Sequence, residues 1–261
     1  MIKVDNIVIE ANQFPDHTLL VKAPALRGHG KLCDIEWKYE DDSELFTLIC
    51  LRKHYSQAEA RLWMFYCPHA RMDRVKDTND VFTLKYFAEV INNLNFTQVN
   101  ILDPHSSVCT ALINNVRVLS PEDYIVNVIE ECKPDLLFFP DEGASKRYAD
   151  MFPTYKYIYG NKKREWETGK IICTEIINPF DVDLKDKTIL IIDDICSRGT
   201  TFVKSAEALQ LYGVGNIYLW ITHCENTILD GAIFTSGLIN KVYTTNSLFT
   251  KTHKDIKVID I

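Results

Sequence analysis

Two adjacent aspartates, Asp193 and Asp194, directly follow the run 188–192, which is apolar and rich in β-branched residues. Such a run is typical of a strand covered on both faces of a parallel sheet. A turn of mostly small polar residues comes next: Ser197, Arg198, Gly199, Thr200 and Thr201. Paired carboxylates can hold sugar hydroxyls or a hydrated Mg²⁺, and the turn offers backbone N–H groups and hydroxyls to a phosphate at a helix N-terminus. The pattern predicts a site for a phosphorylated sugar, with an ordinary acidic helix cap as the simpler alternative.

A second polar segment contains two arginines that flank an aspartate. Arg71, Asp73 and Arg74 follow the apolar run 62–67, which ends at Pro68. Guanidinium groups bind phosphate oxygens through paired N–H groups, and the aspartate can orient an arginine or a metal-bound water. The segment suits a triphosphate, although a surface Arg–Asp pair would have the same residues.

Other candidate ligands follow two more predicted strands. Asp103 and His105 come after the run 98–102, and Asp141 comes after the run 136–139. Because Mg²⁺ keeps most of its waters, one carboxylate and one imidazole at a strand end are sufficient protein ligands. By itself an Asp-x-His sequence is more often a helix cap than a metal site, and Asp141 could be merely an N-cap.

The charged segment 161–170 has little apolar content, and we predict that it is a mobile loop. Lys162 and Arg164 lie two residues apart in it. Cations on a loop that closes over a site can neutralise charge that develops on a transferring phosphoryl group. These two residues are the candidate catalytic cations, and a solvated basic turn is the alternative.

Strands and helices alternate around these segments. Strands are predicted at 2–9, 18–23, 33–39, 62–67, 98–102, 136–139, 155–159, 188–192 and 216–222, and helices at 42–55 (with Asp42 as N-cap), 80–92, 121–132 and 201–211. This alternation predicts an α/β protein with two doubly wound parallel-sheet units, residues 1–134 and 135–261. Ligands of open α/β sheets bind beyond the carboxyl ends of strands, which is where the polar segments fall.

Composition narrows the class of protein. The 261 residues are 46% hydrophobic, which is ample for a core, and the net charge of −7 argues against a general nucleic-acid-binding surface. Eight cysteines without zinc-ligand spacing are interpreted as buried thiols in a reducing compartment. The start does not resemble a signal peptide, and no apolar run approaches the ~20 residues that span a bilayer. A cytoplasmic protein without a membrane partner is expected.

In their order, the motifs resemble those of the ribose-phosphate pyrophosphokinase family. Residues 66–74 resemble its ATP-binding segment, and residues 193–201 resemble its ribose-phosphate loop. Residues 103–105 stand where the family has Asp-Leu-His, and residues 139–143 resemble its Ser-Pro-Asp-x-Gly segment. Residues 14–18 look like a variant of Phe-Pro-Asp-Gly-Glu. The resemblance covers nearly the whole chain.

The resemblance implies two type I phosphoribosyltransferase-like domains, with ATP on the N-terminal one. It implies transfer of the β,γ-diphosphate of ATP to the anomeric 1-hydroxyl of a ribose 5-phosphate group, with release of AMP. It also implies a homo-oligomer, a dimer or hexamer, in which Phe14 stacks on an adenine bound to a neighbouring subunit; a plain core position for Phe14 is the alternative.

Residue roles follow from the same resemblance. The Mg²⁺ cofactor would be held by Asp103, His105 and Asp141. ATP would be bound by Phe14, Asp16, Arg71, Asp73, Arg74 and His105. The phosphorylated ribose would be bound by Asp141, Asp193, Asp194, Ser197, Arg198, Gly199, Thr200 and Thr201. Catalysis would involve Lys162, Arg164, Arg71 and His105.

The chain departs from the family in the loop itself, where Ser197 and Arg198 replace the usual Asp and Thr. The exchange adds about two units of positive charge beside the acceptor phosphate and would favour a second phosphate. An acceptor with a 5′-diphosphate is ADP-ribose, and the chain resembles short, often phage-borne relatives that pyrophosphorylate ADP-ribose for rebuilding NAD⁺. Ribose 5-phosphate is the alternative acceptor.

Two other classes share some of these features. A phosphoribosyltransferase would use the same loop but needs neither ATP nor an arginine-rich triphosphate segment. A catalytically inactive regulatory relative is the third class, and retention of the acid pair and of Lys162 and Arg164 argues against it.

Overall fold

A computed structural model describes residues 1–26, 32–164 and 171–261, and of residues 162–164 and 171–174 it describes the backbone alone. The chain divides into two compact units, Met1–Ser120 and Pro121–Ile261. Each unit is built around its own sheet.

Unit 1 carries a six-stranded sheet. Its elements are β1 (Ile2–Val4), β2 (Ile7–Val8), β3 (Ala11–Gln13), β4 (Leu19–Val21), β5 (Leu32–Trp37), α1 (Ser43–His54), β6 (Glu59–Met64), α2 (Thr83–Asn93), β7 (Gln98–Leu102), α3 (Ser107–Leu112) and β8 (Val116–Leu119). The sheet order is β2-β1-β5-β6-β7-β8, with β5 to β8 parallel and β1 and β2 antiparallel at one edge. The strands β3 and β4 form a separate hairpin.

Unit 2 carries a seven-stranded sheet. Its elements are α4 (Glu122–Cys132), β9 (Leu136–Phe139), α5 (Glu142–Tyr148), β10 (Tyr157–Arg164), β11 (Ile171–Ile177), β12 (Thr188–Cys196), α6 (Thr200–Gln210), β13 (Asn216–Cys224), α7 (Ile233–Ser236), β14 (Lys241–Thr245) and β15 (Ile256–Ile259). The order is β11-β10-β9-β12-β13-β14-β15, and all neighbours are parallel except β10 and β11. The α/β class with parallel sheets is confirmed.

Strand β12 is apolar on both faces because each face has its own core. Ile189 and Ile191 pack with residues of α6, whereas Leu190 and Ile192 pack with residues of α4 and α5. Period-two alternation sends successive side chains to opposite faces. A continuous β-branched run is therefore what a strand at this central position requires.

The unit boundary lies ahead of α4, whereas the sequence prediction placed it after residue 134 and counted this helix with the first unit. Ile125 and Val128 of α4 are buried against Leu137 and Phe139 of β9. The apolar face of the helix thus covers the sheet of unit 2. A cut at 134/135 would expose that face.

Three local predictions were wrong. The predicted strand 2–9 is a hairpin, because Asp5 and Asn6 have φ of 47° and 67°, as a two-residue type I′ turn needs. The predicted loop is strand at 161–164, where β10 pairs with β11, and residues 165–170 lie outside the described residues. The short elements α3 and β8 were missed.

Within the described ranges no helix is long and apolar enough to cross a bilayer.

Candidate active site

The acid pair lies inside β12, which continues to Cys196 rather than ending at residue 192. Strand β9 pairs with β12 only through Ile191, so Asp193 stands beyond the end of β9 while β13 still runs alongside. Asp193 is half-buried and Asp194 is 2% exposed. The two carboxylates therefore have different environments.

Asp194 pairs with an arginine that was not among the predicted site residues. Arg147 of α5 places Nη1 2.8 Å from Asp194 Oδ2. A buried carboxylate requires such a counter-charge, because an unpaired charge in the interior is costly. Asp194 is thus paired with Arg147. Asp193 is the more exposed carboxylate of the two, and its Oδ1 accepts the N–H of Asp194 at 3.0 Å.

Two other carboxylates, those of Asp194 and Asp141, lie near Asp193. Burial raises the pKa of Asp193 well above its ordinary value, and the nearby carboxylates of Asp194 and, more weakly, Asp141 raise it further. Ligands that supply hydroxyl donors or positive charge would relieve this repulsion. A sugar hydroxyl or a hydrated cation fits that requirement.

Asp141 follows β9 at the same edge of the sheet. Its Oδ1 accepts the N–H of Ala144 at 2.9 Å, so the helix-cap interpretation is correct for this residue. Asp141 also lines a cleft of about 500 Å³ together with Gly143, Tyr159 and Asn161. Capping α5 therefore fixes a carboxylate at the wall of a cleft.

Residues 197–201, the β12 loop, lead from β12 into α6. Gly199 has φ of 74° and stands at the N-cap position, and a Cβ atom there would lie 2.2 Å from Cδ1 of Ile233. Arg198 is exposed and makes no ion pair or hydrogen bond with any residue in the described ranges. Thr200 is exposed, and Thr201 is half-buried. The loop thus presents an N-terminal helix turn and a guanidinium at the carboxyl edge of the sheet.

The segment 225–231 supports the β12 loop, although none of its residues was among the predicted site residues. A Cβ atom on Gly231 would lie 1.9 Å from the carbonyl oxygen of Arg198, so the two backbones touch. Ser197 Oγ lies 3.1 Å from Thr227 Oγ1, which donates to Glu225 Oε2 at 2.9 Å. No spacing in the sequence signals such a contact between separate segments.

The predicted catalytic cations Lys162 and Arg164 belong to the backbone of β10. Residue 159 pairs with Phe139, the last residue of β9, so the later part of β10 extends past the carboxyl end of β9, where it pairs with antiparallel β11. The pairing register shifts between residues 163 and 164. The roles of Lys162 and Arg164 stay predictions.

In unit 1, residues 66–74, the β6 segment, follow β6. Cys67 and Ala70 are buried and hold its first part, whereas Arg71 is exposed. The Arg74 side chain is 73% exposed, with Nε 3.8 Å from Asp73 Oδ1. The segment therefore offers two arginine side chains at the surface.

Asp42 stands at the N-cap position of α1, as predicted, but its carboxylate anchors the β6 segment. It precedes α1 without a side-chain cap hydrogen bond. Its Oδ1 lies 3.1 Å from His69 Nε2 and accepts from Tyr39 OH at 3.0 Å. Two side chains thus compete successfully with the helix N-terminus for this carboxylate.

Asp103 and His105 follow β7 in the same sheet. Asp103 is 3% exposed with φ of 42°, and its N–H donates to the carbonyl of Leu119 at 3.1 Å. His105 is half-buried. No group of three metal-ligating side chains occurs among residues 1–26, 32–164 and 171–261. One carboxylate and one imidazole fit a Mg²⁺ ion that keeps most of its waters.

Phe14 and Asp16 lie in the turn between β3 and β4. Phe14 is 49% exposed, so it is not a core residue of this chain. Asp16 Oδ1 accepts from the hydroxyl of Thr18 at 2.7 Å and from its N–H at 3.0 Å, and these bonds lower the pKa of Asp16. The turn presents an aromatic ring to its surroundings.

Curated relatives match this chain over most of its length, although no family model matches it. The protein of Pyrococcus abyssi is 26% identical over 97% of this chain and 88% of its own length. That of Thermococcus kodakarensis is 27% identical over 90% of this chain and 81% of its own length. Both are ribose-phosphate pyrophosphokinases. The chain is thus similar to ribose-phosphate pyrophosphokinases over nearly its whole length.

A solved structure supports the fold. The chain resembles the phosphoribosylpyrophosphate synthetase from Mycobacterium smegmatis with a TM-score of 0.76, at 17% identity, over 97% of this chain and 86% of that one. At this identity the likeness concerns the fold alone. The ribose-phosphate pyrophosphokinases are thus matched in both sequence and architecture.

Proposed function

We propose that the protein is an enzyme, a Mg²⁺-dependent diphosphokinase. It would transfer the β,γ-diphosphate of ATP to the anomeric 1-hydroxyl of a ribose 5-phosphate group and release AMP. The observation that carries the proposal is the carboxyl edge of unit 2. There the half-buried Asp193 and the β12 loop lie close together in the chain. Asp193 binds the ribose hydroxyls, and the β12 loop binds the 5-phosphate.

The nucleotide would be bound by unit 1. Arg71 and Arg74 are surface guanidiniums suited to phosphate oxygens, with Asp73 beside Arg74. Asp103 and His105 would hold the Mg²⁺ of the bound nucleotide, and Asp141 of unit 2 would hold a second Mg²⁺ at the ribose; the metal when bound neutralises phosphate charge and aligns the reacting groups. Phe14 and Asp16 would contact an adenine from a neighbouring subunit of a homo-oligomer.

The reaction needs little covalent chemistry from the protein. The 1-hydroxyl oxygen attacks the β-phosphorus, the bond from that phosphorus to the oxygen of the α-phosphate breaks, and the hydroxyl proton is released to solvent. Catalysis is then positioning and charge stabilisation. Arg71, Lys162 and Arg164 are the cations that we assign to the transferring group, and His105 the imidazole beside it.

For the acceptor we favour ADP-ribose. Arg198 is an exposed residue of the β12 loop, and it has no ionic partner within the described ranges. A guanidinium of this kind is suited to bind the second phosphate of a 5′-diphosphate. The names of the curated relatives favour ribose 5-phosphate as the alternative.

Product analysis tests the proposal. The protein is incubated with ATP, Mg²⁺ and either acceptor, and mass spectrometry measures AMP and an acceptor heavier by one diphosphate. We expect a diphosphate gain on ADP-ribose. A gain on ribose 5-phosphate alone would assign the ordinary acceptor, and no gain on either would reject the diphosphokinase in favour of a transferase or an inactive relative.

Arg198→Thr tests the acceptor assignment separately. We expect this variant to lose its preference for ADP-ribose while its use of ATP is unchanged. An unchanged preference would show that Arg198 does not recognise a second phosphate.

A further inference from the structure

The segment 225–231 contacts the β12 loop without belonging to the residues assigned above to binding or catalysis. The N–H of Glu225 donates to the carbonyl of Cys196 at 2.8 Å, directly before the loop. At its other end, Gly231 touches the carbonyl oxygen of Arg198. The segment is therefore fixed to the loop at two backbone points, and the side chain of Thr227 lies against Ser197.

The direction of the side-chain hydrogen bonds follows from counting protons. An ionised carboxylate can only accept, so the single hydroxyl proton of Thr227 is donated to Glu225. Thr227 Oγ1 is then left with lone pairs, and the 3.1 Å contact with Ser197 requires Ser197 to be the donor. Both hydroxyl groups thus donate their hydrogen bonds away from the loop and toward Glu225.

This direction changes what the loop can offer a phosphate. Ser197 presents oxygen lone pairs in place of an O–H donor, and a carboxylate stands two hydrogen bonds behind it. The inner part of the loop is therefore poorer in donors than its composition indicates. The exposed guanidinium of Arg198 makes the outer part cationic.

A phosphate monoester carries about −1.5 to −2 charges at neutral pH. A phosphate that is esterified on two sides has one ionisable oxygen and carries a single charge. A phosphate that is esterified on two sides therefore requires fewer hydrogen-bond donors from the inner part of the loop, at Ser197. In a diphosphate, the next phosphate lies further out and carries its own negative charge, which suits the outer part of the loop, at Arg198. The charge pattern of the β12 loop matches it.

We propose that Glu225 and Thr227 are positioning residues that make the β12 loop select a singly charged, doubly esterified phosphate over a doubly charged terminal phosphate. The inference rests on the proposed function, because it concerns the acceptor of that same site. It adds the residues that set the substrate class.

Equilibrium binding tests the selection without relying on turnover. The dissociation constants of ADP-ribose and of ribose 5-phosphate are measured by calorimetry for the native protein, for Thr227→Val and for Thr227→Ser. The valine removes the hydroxyl and frees the Ser197 proton to donate to phosphate. We expect it to reduce the preference for ADP-ribose by about three- to tenfold, mainly through tighter binding of ribose 5-phosphate. The serine, which keeps the hydroxyl, is expected to retain the native ratio.

Two further variants separate selection from folding. Glu225→Gln removes the negative charge and is expected to shift the ratio in the same direction, which gives a second test if Thr227→Val is not folded. Thr250→Val is the matched control, because the hydroxyl of Thr250 accepts a hydrogen bond from Asn226 and lies outside the chain to Ser197. It should leave both dissociation constants unchanged.

An unchanged ratio in both Thr227→Val and Glu225→Gln, or a higher preference for ADP-ribose, would overturn the inference. AMP release is measured on the same samples. Binding of both acceptors without AMP release would reject the proposed function while the binding ratio still decides the inference. AMP release, together with the same ratio of dissociation constants in the variants as in the native protein, would reject the inference alone.

Discussion

The β12 loop of unit 2 and the β6 segment of unit 1 are both polar turns after a parallel strand, but they are held differently. The β12 loop touches the backbone of Gly231, and the acid pair before it is tied to α5 by a buried ion pair. The β6 segment is fixed at its start by Cys67 and Ala70 and then carries exposed arginines. Shape and buried charge can enforce a choice of ligand, whereas exposed cations mainly supply attraction.

The largest expected effect concerns the buried ion pair of unit 2. Arg147→Met removes the partner of Asp194, which is 2% exposed, and leaves a carboxylate without its counter-charge. We expect the free energy of unfolding to fall by about 3 kcal/mol in urea titrations. Adding Asp194→Asn should recover most of this loss, because a neutral amide needs no counter-charge. If Arg147→Met alone lowers the free energy of unfolding by less than about 1 kcal/mol, the ion pair contributes no more than an ordinary surface ion pair.

The second effect concerns the backbone contact beneath the β12 loop. Gly231 has φ of −97°, so its backbone does not require glycine, but a Cβ atom would overlap the carbonyl of Arg198. Gly231→Ala should displace the loop and weaken acceptor binding by about 2 kcal/mol, while ATP binding is unchanged. Calorimetry with each ligand measures both.

Gly237→Ala is the matched control for that prediction. Gly237 has φ of 67°, and a Cβ atom there meets nothing within 4 Å. The substitution should cost about 1 kcal/mol of stability through backbone strain and leave acceptor binding intact. Equal losses of acceptor binding in the two variants would show that the Gly231 contact is not specific.

The same contrast explains how much could be predicted from sequence. The α/β class, β7, β9 and the ends of α4 followed from periodicity, because each buried face imposes its own repeat. The polar turns also fell at carboxyl ends of strands, as predicted. What could not be predicted are contacts between distant segments, such as Arg147 with Asp194 and Gly231 with Arg198. Nothing local in the chain distinguishes these residues from surface ones.

Tertiary contacts decided two local features. The charged segment at 161–164 lacks apolar residues and is predicted to be a loop, yet pairing with β11 supplies its backbone hydrogen bonds. Asp42 stands at the N-cap position as predicted, but its carboxylate binds Tyr39 and His69 and does not cap the helix. In both places tertiary partners outweighed the local preference.

The third effect concerns the exposed arginines of unit 1. Arg71→Gln should raise the dissociation constant of ATP by about tenfold and leave acceptor binding unchanged, since a hydrogen bond to a charged phosphate is lost. The loss should shrink at high salt, because exposed charges are screened. Lys76→Gln, a nearby exposed cation, is the control. Equal effects of the two substitutions would mean that the β6 segment provides only general positive charge.

The smallest effect tests whether the tight packing of unit 2 extends to the far edge of its sheet. Glu131 of α4 accepts from Lys257 at 2.5 Å, from Lys241 at 2.9 Å and from Tyr243 OH at 3.1 Å. These bonds, with that from Lys257 the strongest, lower the pKa of Glu131 from 4.5 to about 2. The cluster thus fastens α4 to β14 and β15.

A lowered carboxyl pKa in the folded state stabilises the protein above the unfolded pKa, and this contribution is lost as the pH falls from about 4.5 to about 2. Because the Glu131 side chain is 35% exposed, solvent screens the cluster and we expect less than about 1 kcal/mol. Glu131→Gln should reduce stability at pH 7 and flatten its decline in this acid range, as measured by urea unfolding at each pH. Glu130→Gln, on the exposed side of the same helix, should leave the decline unchanged. If the stability of both variants declines with falling pH as that of the native protein does, the Glu131 cluster does not stabilise unit 2 and its tight packing does not extend to β15.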